Sequence, residues 1–188
     1  MRLFVALDIP EDVRGSLAAL SAQLRPACKD ARWARIEGLH VTLKFIGETP
    51  SENTAKIQSA LASIPPRVAI PMFFRGLGFF PNERRPRVLW AGVEAAPELA
   101  ALAAAVEVAL EPLGIPRETR TFSPHLTLAR FDTPRGLAAL HTAIEKACPP
   151  EFGGATTGEF YLYQSILKSG GAEYTRLSTF SFAGREPK

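Results

Sequence analysis

The chain has 188 residues, 46% of them hydrophobic and 22% charged, with a formal net charge of +3. That length suits one compact domain or two small lobes on a shared core, and the composition excludes a disordered, collagenous or coiled-coil chain. Charge or proline interrupts every apolar stretch before the roughly 20 residues that a membrane span needs, so no membrane-spanning helix is expected.

From the N-terminus, Arg2 to Ile9 is rich in β-branched and aromatic residues and stops at Pro10, which predicts a strand. The segment is too short, and too soon followed by acidic residues, for an export signal. With no such signal, and with only Cys28 and Cys148 at no metal-ligand spacing, the reading is a cytoplasmic protein whose reduced cysteines pack as small apolar fillers. Val13, Leu17, Leu20 and Leu24 make one helical stripe that ends at Pro26. His40 to Ile46 alternates as a strand does. Ser51 is placed to cap a second helix carrying Ile57, Leu61 and Ile64, stopped by Pro65-Pro66. Val68 to Phe80 reads as one or two strands, broken near Gly76 and Gly78.

The second half repeats that order. Arg87 to Glu94 predicts a strand, and Leu99, Leu102, Val106, Leu110 and Leu113 predict a helix stopped near Gly114. His125 to Phe131 alternates as a strand, and Leu137, Leu140 and Ile144 mark a fourth helix ending before Pro149-Pro150. Glu159 to Leu167 and Tyr174 to Phe182 form a hairpin about Gly170-Gly171.

A shift of 85 positions places Arg2 on Arg87, Leu17-Ala18-Ala19 on Leu102-Ala103-Ala104, His40 on His125, and Thr42-Leu43 on Thr127-Leu128. Separate segments holding one register point to an internal duplication, approximately 2–64 and 87–148, inside a single domain of residues 1–188. A duplicated chain supplies both half-sites itself, so a monomer is expected.

On a strand, His and Thr at i and i+2 share a face, so His40 with Thr42, and His125 with Thr127, each offer an imidazole beside a hydroxyl. Brought together, the pairs suit in-line displacement at phosphorus. One imidazole takes a proton from the entering oxygen, the other gives one to the leaving oxygen, and the hydroxyls donate to the phosphate. A cation would help. Lys44 and Arg130 are near in sequence, although strict alternation turns Arg130 to the packing face unless the strand bulges. A lone strand His-x-Thr is ordinarily an accident of packing; two copies in register, with only His141 besides, carry the opposite weight. His141 reads as surface or helix edge. Two histidines without a third ligand at suitable spacing fall short of a metal site, so neither metal nor cofactor is expected. The arginines of Glu83-Arg84-Arg85-Pro86-Arg87, with Arg117 and Arg120, read as solvated loops or as contacts for an RNA backbone.

The paired His-x-Thr segments resemble the two-histidine phosphoesterase superfamily. Within it the chain is most similar to the bacterial and archaeal RNA 2′,3′-cyclic phosphodiesterases, also called the 2′–5′ RNA ligase family. The likeness extends to Arg2-Leu3-Phe4-Val5-Ala6-Leu7, Pro86-Arg87-Val88-Leu89-Trp90-Ala91-Gly92-Val93, Phe122-Ser123-Pro124-His125, Leu162-Tyr163-Gln164-Ser165 and Tyr174. The resemblance implies a bilobal α+β fold, two pseudo-symmetric lobes with antiparallel sheets lining a central cleft and helices outside. It implies metal-independent hydrolysis of RNA 2′,3′-cyclic phosphate ends to 2′-phosphates with O3′ leaving, and in some members a reversible 2′–5′ joining of tRNA halves. By motif match, His40 and His125 fall on the catalytic positions, and Thr42, Thr127 and Arg130 on the phosphate-binding ones. The symmetry of the motifs leaves open which histidine is the base.

Two other readings stand beside this. One is a module that binds RNA ends without turnover, with Trp33, Phe45, Phe79 and Phe80 as a stacking platform, although strand aromatics are ordinarily core. The other is a phosphodiesterase for another cyclic or 2′–5′ nucleotide.

Overall fold

Strand β1 (Arg2–Leu7) has a hydrogen-bonded neighbour on each side and is buried from Leu3 onward. The structure, a computed structural model, describes residues 1–65, 67–132, 135–147, 151–168 and 171–182. Pro66, Cys148, Pro149, Pro150 and Gly170, expected above as stops, filler and turn, lie outside them. In chain order the further elements are α1 (Glu11–Leu24), β2 (Arg32–Trp33), β3 (Val41–Glu48), α2 (Thr54–Ala62), β4 (Ile70–Phe80), β5 (Val88–Ala95) and α3 (Pro97–Leu110). Then follow β6 (His125–Arg130), α4 (Leu137–Ala147), β7 (Glu151–Thr157), β8 (Glu159–Lys168) and β9 (Gly171–Ser181).

The strands form a four-stranded sheet, β3-β1-β8-β9, and a five-stranded sheet, β2-β6-β5-β4-β7. Every pairing is antiparallel, giving the two-lobed α+β architecture that the resemblance implied. The sheets meet where β3 packs on β6, so the two His-x-Thr segments face each other.

Some boundaries differ from the expectations. Ser51 opens a separate 3-10 turn after Pro50, and no side chain caps α2. β4 is one strand: Gly76, at φ +71°, sits in a register shift between Phe74 and Leu77 and so marks a bulge rather than a break. β2 and β7 have no counterpart among the strands expected from the sequence. β2 has only two residues, and β7 carries Gly153-Gly154, which weakens any strand signal.

The helices cross between halves. α1 follows β1 in sequence yet packs on β7 and α4, and α3 follows β5 yet packs on β3 and α2. At Gly153 of β7 an added Cβ would come within 3.0 Å of Val13 on α1. Lys44 of β3, only 6% exposed, donates at 2.6 Å to the Glu107 carboxylate of α3 and at 2.6 Å to the Pro116 carbonyl. The candidate cation Lys44 is therefore engaged in holding the halves together.

Both His-x-Thr strands carry the same irregularity. Against β1 the ladder passes from Val5–Lys44 to Ala6–Thr42, skipping Leu43. Against β5 it passes from Leu89–Ala129 to Trp90–Thr127, skipping Leu128. Each bulge buries two successive side chains and reverses the alternation. Phe45 and Arg130 thereby come round to the face of Thr42 and Thr127. The ladder pairs Ala6 and Trp90 with the matching threonines, one residue off the Arg2–Arg87 register expected from sequence.

Candidate active site

His40 stands immediately before β3, and His125 opens β6. Each ring is oriented in the same way: Nδ1 of His40 lies 2.7 Å from the Gly38 carbonyl, and Nδ1 of His125 lies 2.8 Å from the Ser123 carbonyl. A neutral imidazole that donates Nδ1–H to a carbonyl keeps its Nε2 lone pair for the substrate.

Aromatic rings hold the rest of each imidazole. His40 stacks on Phe4 at 4.6 Å and meets the edge of Tyr174 at 5.1 Å. Tyr174 in turn lies so close to Gly38 that a Cβ there would come within 3.0 Å of its ring. His125 meets Phe80 edge-on at 5.0 Å and Trp90 at 6.5 Å. Trp90 fits only because it faces Gly78, where a Cβ would fall 2.2 Å from the indole.

The backbone before His40 has its own clamp. Arg14 of α1 donates to the carbonyls of Ile36 at 2.8 Å and Glu37 at 3.0 Å, and pairs with Asp8. Asp8 also accepts from Arg176 at 2.8 Å. The 3-10 turn Ile36–Gly38, which supplies the carbonyl for His40, is thus pinned to α1. At position 99, 85 residues from Arg14, stands the buried Leu99. Burial lowers the His40 pKa to about 4, with the nearby Arg14 charge adding to the effect, so the unliganded ring is neutral at pH 7.

A cleft of about 760 Å³ opens between the sheets, lined by His40, Thr42, His125, Thr127 and Arg130. All the expected site residues therefore meet in one place, and the Leu128 bulge resolves the parity objection to Arg130. Arg2, Trp33 and the exposed Phe45 share the lining. Phe79 and Phe80 do not; Phe79 rests on Phe131 and on His141, which is half-buried. The arginine runs are not in the cleft lining either. Arg84 and Arg85 donate their backbone N–H groups to Asn82, Arg117 pairs with Glu111, and Arg120 pairs with Glu118. Sequence reading missed Arg14, whose sole signal was a charge beside the buried stripe of Val13, Leu17, Leu20, Ser21 and Leu24 on α1. Among the described residues no group of three or more His, Cys, Asp or Glu is placed to hold a metal ion.

The model of the 2′-5′ RNA ligase superfamily matches residues 9–165. A curated RNA 2′,3′-cyclic phosphodiesterase of Archaeoglobus fulgidus is 34% identical over 96% of this chain and 99% of its own. The chain belongs to the 2′-5′ RNA ligase superfamily. Another curated relative, the RNA 2′,3′-cyclic phosphodiesterase of Aeropyrum pernix, is 38% identical over 87% of this chain and 93% of its own. A crystal structure from Thermus thermophilus superposes with a TM-score of 0.79 at 34% identity, covering 98% of this chain and 100% of that one. E. coli LigT, solved with 3′-AMP, superposes with a TM-score of 0.75 at 26% identity, covering 96% and 97%. The bulged strands and facing histidines thus lie inside the span that the superfamily model matches.

Proposed function

We propose that the chain hydrolyses RNA 2′,3′-cyclic phosphate ends to 2′-phosphates. The observation that carries this reading is the pair of imidazoles on facing strands, each with Nδ1 tied to a carbonyl and Nε2 left for one shared cleft. The names of the relatives agree with it. Water attacks phosphorus as the P–O3′ bond breaks. One imidazole removes the proton of the water and the other protonates O3′ on the opposite side. Thr42, Thr127 and Arg130 donate to the phosphoryl oxygens, where negative charge is held through the transition state. These side chains suffice for the proton transfers and the charge, so the reaction is proposed to need no metal.

The same reading treats the two halves as a duplication within one domain, acting as a cytoplasmic monomer, with tRNA halves as the substrates on which 2′–5′ joining should be sought. The shared bulges 85 positions apart favour the duplication.

The test incubates the protein and EDTA with an oligoribonucleotide ending in a 2′,3′-cyclic phosphate and identifies the product end. A 2′-phosphate is expected. His40→Ala and His125→Ala should each lower kcat by about 10² or more, the ordinary contribution of a general acid or base. Substrate that binds but stays intact would establish instead the reading of an end-binding module.

A further inference from the structure

The side chain of Arg14 is only 11% exposed, yet it does not line the cleft. Its Nη1 donates to the successive carbonyls of Ile36 and Glu37, and its Nη2 donates to Asp8. The next carbonyl along the chain, that of Gly38, is the one that meets Nδ1 of His40. Asp8 is held in turn, since its other carboxylate oxygen accepts from Arg176 of β9 at 2.8 Å. The Arg176 guanidinium lies 3.8 Å from the centre of the Tyr161 ring and donates at 3.3 Å to the Tyr163 hydroxyl. Tyr163 stacks on Phe4 at 5.3 Å, and Phe4 carries His40 at 4.6 Å. The chain of charges Arg14–Asp8–Arg176 thus reaches His40 twice: through the backbone turn to Nδ1, and through stacked rings to the face of the imidazole.

The offset of 85 places Val93 and Leu99 where the first half has Asp8 and Arg14, and both are buried apolar residues. An apolar side chain has no donor for a carbonyl, so the second half does not repeat this clamp. A largely buried ion pair is a poor source of stability compared with apolar residues of similar volume. What a planar guanidinium supplies is fixed geometry, with several donors held in one fork. We infer that Arg14 is a positioning residue: with Asp8 and Arg176 it locks the Ile36–Gly38 turn, so that His40 keeps its proton on Nδ1 and presents Nε2 to the reacting phosphate. This rests on the hydrolytic reading above. If the turn were free, the Gly38 carbonyl would swing away and the imidazole could move its proton to Nε2, the wrong tautomer for a ring that must accept there. His125 takes its orientation from the Ser123 carbonyl, to which Arg14 makes no bond, and should be indifferent to the clamp.

The experiment measures hydrolysis of adenosine 2′,3′-cyclic phosphate by wild type and variants, each below its melting temperature. Arg14→Met keeps the length of the side chain and leaves Asp8 its partner Arg176. Its kcat should fall about 10-fold to 100-fold with KM near the wild-type value, the usual loss when a group that orients a catalytic histidine is removed. Arg14→Lys, a single ammonium in place of the fork, should restore part of that kcat. Arg176→Met, which removes a 44% exposed side chain, should lower kcat in the same direction by less, and it carries the test if Arg14→Met fails to fold. Arg117→Met, which breaks the exposed pair with Glu111 outside the cleft, should leave both constants unchanged. A readout without turnover comes from proton–nitrogen correlation spectra of the ¹⁵N-labelled histidines at pH 7. His40 should carry its proton on Nδ1 in wild type and gain the Nε2–H form in Arg14→Met, while His125 stays unaltered. If the folded variants keep the wild-type kcat and His40 tautomer, or if His40 and His125 change alike, the positioning role is wrong although hydrolysis stands. If wild-type protein hydrolyses nothing, the hydrolytic reading fails, and the spectra still decide whether Arg14 sets the ring of His40.

Discussion

His40 and His125 carry one motif but sit in different surroundings, and the difference can be measured. The unfolded chain presents His40 with an ordinary pKa near 6.5, whereas burial in the fold lowers it to about 4. Between those values the unfolded state binds a proton that the folded state refuses. The contribution of His40 is therefore fully present above about pH 6.5 and is lost as the pH falls towards 4, by up to about 3 kcal/mol. Urea midpoints of wild type and His40→Gln, measured at pH 7 and pH 4.5, should diverge as the wild type loses stability and the variant loses less. A difference that stays constant across this range would refute a buried neutral ring. An anion in the cleft acts in the other direction: inorganic phosphate should raise the His40 midpoint in an NMR titration, since negative charge favours the imidazolium.

At the scale of strands and helices, period-two and helical patterns made most elements legible, because each apolar stripe faces one shared core. The same alternation made His40, Thr42, His125 and Thr127 visible as two pairs. It failed where the backbone departs from it. The skipped residues Leu43 and Leu128 look like ordinary strand leucines, so neither the turn of Arg130 into the cleft nor the exposure of Phe45 follows from the pattern. β7 escaped notice because its glycines exist for close approach to α1 and β4, a need set by packing and not by strand propensity. Gly78 has a similar cause, since it leaves room for Trp90 under His125. Gly78→Ala should cost about 1–3 kcal/mol through overpacking and lower activity by displacing Trp90. Gly15→Ala, on the exposed side of α1 with nothing within 4 Å of the new Cβ, should instead gain about 0.5–1 kcal/mol from helix propensity. Melting curves of the two variants decide it, and equal shifts would contradict the packing account.

For the whole molecule the crossed helices matter more than the repeat. Each sheet is covered by a helix from the other half: α1 from the first half lies on β7, and α3 from the second lies on β3. β8 and β9, at the end of the chain, complete the sheet begun by β1. A cut near residue 85 would therefore part β7 from α1 and β3 from α3, divide both sheets, and leave β1 with one neighbour. The buried Lys44–Glu107 pair spans the same divide, and each charge would lose its partner with the other half. Neither fragment can bury its own apolar surface, so residues 1–85 and 86–188 expressed separately should both lack near-ultraviolet circular dichroism. Mixed or coexpressed, they should regain it together with any activity of the intact chain. The intact chain should melt in a single cooperative transition, because the buried residues form one cluster across both sheets. Two resolved transitions, or one fragment folding by itself, would show that the lobes are independent units merely joined in sequence. The cleft would then owe its geometry to a linker. With the helices exchanged, the spacing of His40 from His125 is fixed by the core that the two halves build together.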